Sequence, residues 1–283
     1  MNTLAITSSE VRAGCLEATH RRAAVEAVTR WGYVVLKDVV DAAHVEVLRH
    51  RMLEDVEQIL SRREIPTQFT AGHLQQDPPP FAPFLFKDVL LNDLVTDVTE
   101  AVLGRGVKNT FYSGNTNLPG SETQPVHADI GQLWPNLEHA HPAYGLVVNV
   151  PVVDMGPENG STELWPGTHL DTSIAIQDGN IRVAAERVAA QRAVADPVQP
   201  VVYAGDVLIR DVRMWHRGMT NRSDEPRPMI AMIHNCAWWK DAQIPFPKGT
   251  ESFFRHDRLN TSAVFVDEPI DYIGRTTRFD VRH

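Results

Sequence analysis

The feature that most constrains the fold is a series of short apolar or alternating segments between residues 109 and 237, separated by Gly, Pro, Asn and Asp. Short runs of this kind with turn residues between them are typical of the strands of a sandwich or jelly roll. A stretch rich in Ala and Arg interrupts the series and predicts a helix at 181–194. The predicted strands are 109–113, 124–130, 144–152, 162–166, 198–202, 207–210, 214–219 and 229–237.

Helices are predicted before this series. Apolar residues at helical spacing indicate helices at 16–31, 41–60 and 88–103, and a buried strand is predicted at 33–36. The segment 66–84 is rich in Pro and Phe and has no period, so we expect a loop there. Such a loop is either a plain surface connection or a lid over a pocket.

Composition excludes several classes of protein. At 283 residues with 43% apolar side chains the chain can bury a large core, and its net charge of −9 argues against nucleic acid or an anionic membrane as the main partner. Its only cysteines, Cys15 and Cys236, are too few for a disulfide framework. No signal peptide and no apolar run of membrane-spanning length is present, so we expect a soluble, cytoplasmic protein.

Three residues form a candidate metal site. His127 and Asp129 are two positions apart, and on an extended strand their side chains would point to the same face. His216 follows a short apolar run and could complete a set of two histidines and one carboxylate. Such a set leaves half of an octahedron open, as non-haem Fe(II) oxygenases require.

Taken alone, these residues are compatible with different roles. A His-x-Asp pair is expected by chance about once in a chain of this size. In that case His127 would be a core histidine and Asp129 a turn residue. The same three residues could bind zinc in a hydrolase or isomerase. A third possibility is a barrel that binds a small molecule without turnover.

The order of several motifs resembles one family. From about residue 25 to about residue 237 the chain is similar to the phytanoyl-CoA dioxygenase family of Fe(II)- and 2-oxoglutarate-dependent oxygenases. The motifs that carry the resemblance are Gly32-Tyr33-Val34-Val35, His127-x-Asp129, Glu158-Asn159-Gly160, Pro166-Gly167-Thr168-His169, Gly205-Asp206-Val207, and His216 with Asn221, Ser223 and Arg227.

The resemblance implies a mainly β fold with flanking helices. It is a double-stranded β-helix (jelly roll, cupin-like) with N-terminal helices packed on one sheet. We expect one oxygenase domain over 1–283, with an N-terminal helical part at 1–105 and a jelly-roll core at 106–237 that carries a helical insertion at 170–195. The C-terminal extension, 238–283, could cover the barrel or serve a dimer interface.

The resemblance also implies a site. His127, Asp129 and His216 match the iron ligands, and Arg227 matches the arginine that pairs with the far carboxylate of 2-oxoglutarate. A guanidinium suits that role because it binds a carboxylate through two parallel hydrogen bonds. Thr162 matches a position that offers a hydroxyl to the cosubstrate. Arg222 is a rival candidate for the arginine.

Further site residues are less well defined by the pattern. Many relatives have Gln two residues before the first ligand, whereas this chain has Pro125 there and Gln124 one step earlier. Gln124 is therefore the candidate for a second contact to 2-oxoglutarate. Trp134, five residues beyond Asp129, and Phe84 of the Pro-rich loop are candidates for contact with substrate.

The implied cofactors are Fe(II), 2-oxoglutarate and O2, with release of succinate and CO2. Halogenating relatives carry a small residue in place of the carboxylate, so Asp129 favours hydroxylation, desaturation or another C–H oxidation. We expect a small-molecule substrate of specialised metabolism, no nucleic-acid or membrane partner, and a monomer or homodimer.

Overall fold

A large mixed β-sheet carrying helices on one face forms the body of the protein, for which a computed structural model describes residues 2–274. The helices are α1 (Ser8–Ala13), α2 (Ala18–Trp31), α3 (Ala42–Leu60), α4 (Lys87–Leu90), α5 (Asp93–Leu103) and α6 (Ala185–Val194). The strands are β1 (Thr3–Ala5), β2 (Tyr33–Lys37), β3 (His73–Gln75), β4 (Val107–Asn117), β5 (Gly145–Pro151), β6 (Thr162–Leu164), β7 (Val207–Asp211), β8 (His216–Gly218), β9 (Arg227–Asn235), β10 (Ile244–Pro247), β11 (Leu259–Thr261) and β12 (Ala263–Val266).

The main sheet has the strand order β1-β2-β7-β5-β9-β4-β11, and β3 pairs with β4 outside this path. Its central pairs are antiparallel: β5 lies between β7 and β9, with Val147 opposite both Arg210 and Ile233. Strands adjacent in this sheet come from distant parts of the chain, as in a jelly roll. This confirms the predicted fold class.

Alternation along the central strands assigns the two faces of the sheet. Leu146, Val148 and Val150 of β5 lie in the large core cluster that also contains residues of α2, α3 and α5. Val147 and Asn149, which point the other way, line a cavity. Because side chains alternate across a strand, one face of the sheet packs against the helices and the other forms the cavity wall.

A smaller sheet faces that wall. It consists of β6 and β8, paired antiparallel with Leu164 opposite His216. Isolated bridges extend it on both sides, from Leu164 to Val198 and from His216 to His127. The predicted strands at 124–130 and 198–202 are therefore wrong as regular strands, since each contributes only isolated bridging residues.

The three helices predicted before the sheet are present, one of them broken in two, and α1 is an additional helix that was not predicted. Asp41 caps α3 by accepting a hydrogen bond from the amide of Ala43 at 2.8 Å. The helix predicted at 88–103 is two helices, because the side chain of Asn92 accepts hydrogen bonds from the amides of Leu94 and Val95 and begins α5 anew. The insertion contributes α6 only from residue 185.

The C-terminal segment adds to the main sheet. Its strand β11 pairs in parallel with the beginning of β4, placing Leu259 opposite Val107, and β10 pairs with β12 beside it. Phe246 of β10 is fully buried in the core on the helical side of the sheet. Across residues 2–274, none of the helices combines the length and apolarity needed to cross a membrane.

Candidate active site

His127 and His216 lie opposite each other on the smaller sheet. Their backbones exchange two hydrogen bonds, from the His127 amide to the His216 carbonyl at 3.0 Å and from the His216 amide to the His127 carbonyl at 2.8 Å. In an antiparallel pair, residues directly opposite project their side chains to the same face. The two imidazole rings consequently lie with centroids 4.3 Å apart on the cavity side.

Asp129 joins them through the same loop. Its amide donates to the carbonyl of Val212 at 3.0 Å, which fixes the chain two residues beyond His127. The carboxylate Oδ1 lies 3.5 Å from Nε2 of His216. One ligand atom from each of the three residues falls within 4.8 Å of the other two, so the three side chains are close enough together to be candidates for binding a single metal ion.

The protonation of both imidazoles suits a metal. Nδ1 of His127 lies 2.9 Å from the carbonyl oxygen of Pro125, and Nδ1 of His216 lies 3.0 Å from that of Met214. Because a carbonyl oxygen only accepts, each Nδ1 carries the hydrogen and each Nε2 presents a lone pair. Burial also lowers the pKa of both histidines, which favours the neutral form that binds metals.

Asp129 remains ionised. Burial alone would raise its pKa, but the charge of Arg210 holds it at about 2. Nη1 of Arg210 lies 2.6 Å from Oδ2 of Asp129. The donor set is thus two neutral nitrogens and one carboxylate oxygen, which fits Fe(II).

Arg227 offers an anion site in the same cavity. The residue is 2% exposed, and its Nε donates to the carbonyl of Asn159 at 3.2 Å while Nη1 lies 3.2 Å from Sδ of Met155. No carboxylate within residues 2–274 pairs with it. Burial lowers its pKa to about 10, so the guanidinium keeps its charge at neutral pH.

The identity of the fold follows from the family comparison. The family model of phytanoyl-CoA dioxygenase (PhyH) matches residues 28–229, which include Arg227 and the three candidate metal-binding residues. The chain belongs to the phytanoyl-CoA dioxygenase family. It is therefore a non-haem Fe(II)- and 2-oxoglutarate-dependent oxygenase that uses iron, 2-oxoglutarate and O2.

Solved structures share the fold of this phytanoyl-CoA dioxygenase family member. AviO1 from Streptomyces viridochromogenes Tue57 is 21% identical with a TM-score of 0.58, over 80% of this chain and 100% of that one. The non-heme alpha ketoglutarate dependent carbocyclase SnoK from nogalamycin biosynthesis is 18% identical with a TM-score of 0.58, over 87% and 92%. EctD from S. alaskensis with 2-oxoglutarate and 5-hydroxyectoine is 18% identical with a TM-score of 0.53, over 78% and 76%.

Two turns that belong to the family motifs hold Arg227 in place. The turn Glu158-Asn159-Gly160 supplies the carbonyl that accepts from Arg227. On the other side, the side chain of Asn221 donates to the carbonyls of Asn117 at 3.0 Å and Glu225 at 2.8 Å, which fixes the loop that leads into β9. Arg222, the rival candidate, is exposed and does not line the cavity.

The other predicted site residues divide into two groups. Thr162 and Gln124 line the cavity, but the side-chain oxygen of Gln124 already accepts from the amide of Gly218 at 2.8 Å. Trp134 and Phe84 do not line it. Trp134 is 56% exposed beside His141, and Phe84 packs against the core on the helical side of the sheet.

The cavity contains residues that the pattern did not predict. Its volume is about 300 Å³, and both sheets contribute to its wall. Phe69 of the Pro-rich segment packs on His127 with ring centroids 4.1 Å apart. This part of the segment therefore covers the candidate metal-binding residues as a lid would. Asn149 and Arg210 line the sheet side. A polar residue within an apolar strand was the available signal for both.

Proposed function

We propose that this oxygenase inserts oxygen into, or otherwise oxidises, a C–H bond of a small organic molecule, with His127, Asp129 and His216 as the iron ligands. We further propose that Arg227 and Thr162 bind the far carboxylate of 2-oxoglutarate. The observation that carries the proposal is one cavity holding both a set of metal-binding atoms and a buried guanidinium without a carboxylate partner. A hydrolase would have no use for that second feature.

The protein residues in this scheme bind and orient. When bound, iron and 2-oxoglutarate supply the oxidation of a C–H bond, consuming O2 and releasing succinate and CO2. The carbonyls of Pro125 and Met214 keep Nε2 of each histidine directed at the metal position. Arg227 fixes the far carboxylate of the cosubstrate through two parallel hydrogen bonds. The other buried arginine of the wall, Arg210, lies beside Asp129 instead.

The apolar part of the wall supports a small organic substrate. The sheet side is lined by Val147, Met229 and Ile233, and Phe69 covers the proposed metal-binding residues. Water can therefore be excluded when a substrate fills the space. A volume of about 300 Å³ suits one compact molecule together with the cosubstrate. Specialised metabolism supplies such substrates, as the role of SnoK in nogalamycin biosynthesis illustrates for a protein of this fold.

The test is anaerobic addition of Fe(II) and then 2-oxoglutarate to metal-free protein. We expect the weak visible charge-transfer absorption of a 2-oxo acid chelated to Fe(II), and its loss in His216→Ala. The matched control is His141→Ala, a histidine outside the cavity wall, which should retain the absorption.

Two results would reject the assignment. Iron binding without the absorption would exclude chelation of 2-oxoglutarate at this site. Retention of the absorption in His216→Ala would show that the metal is held elsewhere. If the absorption is present, release of succinate under air provides the assay for screening small organic substrates.

A further inference from the structure

Arg210 is a second buried guanidinium in the cavity, next to the proposed metal position. Along β7, Val207 and Ile209 point to the helical core, whereas Arg210 points to the cavity wall. The residue is 5% exposed. A charged residue that is buried in a central strand, directly after the apolar run 207–209, needs a specific partner to offset its burial.

Asp129 is only part of that partner. Nη1 of Arg210 lies 2.6 Å from Oδ2 of Asp129, close enough for an ion pair. Oδ2 of Asp129 thus occupies Nη1, whereas the buried Nε of Arg210 has no acceptor in hydrogen-bonding geometry. Buried donors are almost always satisfied in folded proteins, so a guanidinium that lines a cavity and keeps an unpaired donor indicates a position for a ligand acceptor.

The charges of the cavity wall also favour an anionic ligand. The charged residues of the wall are Asp129, Arg210 and Arg227, and histidines are uncharged when they bind a metal. These three side chains carry a net charge of +1. The charge of +2 on Fe(II) and that of −2 on 2-oxoglutarate cancel, so the cavity keeps this net positive charge when both are bound. Outside the wall, the guanidinium of the exposed Arg182 lies 5.7 Å from the ring of the cavity-lining Phe69 and adds to the positive field.

We propose that Arg210 forms a second oxyanion subsite beside the metal, distinct from that of Arg227, and that it binds a carboxylate of a bound ligand. Two ligands could present this group: the C1 carboxylate of 2-oxoglutarate, or an acid group on the substrate. The charge count favours the substrate, which would then be an organic anion. The inference rests on the proposed function, because it takes 2-oxoglutarate to occupy the Arg227 end.

The experiment uses protein loaded with Mn(II), which binds 2-oxoglutarate without oxidation, and isothermal titration calorimetry. In the first arm, 2-oxoglutarate is titrated into wild type and Arg210→Met. In the second arm, benzoate and phenylacetate, with benzamide and phenylacetamide as uncharged counterparts, are titrated into the Mn(II)–2-oxoglutarate complex of each protein.

The two arms separate the sources. If the subsite binds the C1 carboxylate, Arg210→Met weakens 2-oxoglutarate binding by about 10- to 100-fold, the usual value of a charge-assisted contact. If it binds the substrate, 2-oxoglutarate affinity is unchanged, wild type prefers carboxylates to amides by at least about 10-fold, and the variant loses that preference. Wild-type behaviour of Arg210→Met in both arms would overturn the proposal, leaving Arg210 only to neutralise Asp129.

Controls keep the result interpretable. Arg217→Met removes a partly buried arginine that pairs with Glu163 at 2.7 Å outside the cavity wall, and both arms should match wild type. If Arg210→Met fails to fold, Arg210→Gln keeps a donor for Asp129 without the charge and should show the same losses. Failure of wild type to bind 2-oxoglutarate would reject the proposed function, and this inference with it.

Discussion

Arg227 keeps its charge in a position that is 2% exposed, although its neighbours offer only a carbonyl oxygen and a thioether. A buried cation without a counter-ion is unfavourable in the free protein. That cost is recovered when an anion binds, because the desolvated pair then interacts strongly. In the proposed function, the unfavourable burial of Arg227 in the free site is therefore part of its affinity for the cosubstrate.

Replacing this arginine should affect cosubstrate binding before anything else. We expect Arg227→Met to weaken 2-oxoglutarate binding by about 10- to 100-fold while leaving Fe(II) affinity unchanged. The measurement is titration of the anaerobic Fe(II) protein with 2-oxoglutarate, followed by visible absorption. Arg222→Met, at an exposed position five residues earlier, is the matched control and should behave as wild type. Equal losses in both variants would contradict the assignment.

His234 makes the stability of the protein depend on pH. It lies in β9, 2% exposed, with Nδ1 3.1 Å from Oγ1 of Thr99 and no partner for Nε2. Burial, with a smaller effect of His256, lowers its pKa to about 3. Since the folded pKa is below the unfolded value, the unfolded state takes up the proton first as pH falls below about 6.5. Stability is consequently lost between about pH 6.5 and 3.

The expected size of this effect can be isolated by substitution. Between pH 7 and pH 5, wild type should lose about 2 kcal/mol more of its unfolding free energy than His234→Leu does. Urea unfolding of both proteins at the two pH values gives the difference. His50→Leu, on the exposed face of α3, should follow wild type. The same pH dependence in wild type and His234→Leu would show that this histidine is not buried in its neutral form.

Single residues also show where sequence reasoning stops. Spacing identified His127, Asp129, His216 and Arg227 because motif order fixes them along the chain, and the structure brings them to one cavity. Trp134 was chosen for its distance of five residues from Asp129, but sequence distance does not specify direction in a loop. Arg210 was missed because its strand was interpreted through its apolar neighbours.

At the scale of elements, helix boundaries depend on capping more than on the apolar period. The period runs without a break through 88–103, yet Asn92 ends α4 and begins α5. Its side chain also donates to the carbonyls of Val39 at 2.9 Å and Asp88 at 2.7 Å. One amide thus satisfies four backbone groups, and no apolar pattern contains that information.

The Asn92 cap should contribute more to the free energy of unfolding than an exposed cap does. We expect Asn92→Ala to cost about 2–3 kcal/mol, because it removes the cap and takes a donor from the buried carbonyl of Val39 and from the partly buried carbonyl of Asp88. Asp41→Ala, at the exposed cap of α3, should cost about 1 kcal/mol. Chemical denaturation of the two variants tests the difference. Equal costs would mean that the contacts to Val39 and Asp88 contribute nothing.

The smaller sheet illustrates a second limit of patterns. Residues 124–130 alternate as a strand would, but only His127 forms a ladder pair with β8. Asp129 instead donates its amide to Val212, in the turn that precedes β8. The conclusion that His127 and Asp129 share a face was right although the strand was wrong, because long-range hydrogen bonds to the β8 region fix both residues.

At the scale of the whole molecule, one carboxylate connects three distant parts of the chain. Asp97 of α5 is 5% exposed and accepts from the amide of Leu16 at 2.7 Å. Its other oxygen pairs with Nη1 of Arg258, next to β11. The N-terminal segment, the helical layer and the C-terminal extension therefore meet at a single buried group. That the chain is one domain remains a prediction, and this contact provides a way to test it.

Removing that group should destabilise the molecule as a whole. We expect Asp97→Ala to cost about 3 kcal/mol, because Arg258 and the Leu16 amide lose a buried acceptor. Asp93→Ala removes the half-exposed second partner of Arg258 and should cost less than about 1 kcal/mol. Urea unfolding followed by both tryptophan fluorescence and far-ultraviolet circular dichroism measures each cost. In a single domain the main transition itself shifts in Asp97→Ala and the two signals stay coincident. If residues 238–274 formed a separate unit, the substitution would instead expose that segment to protease and leave the main transition in place.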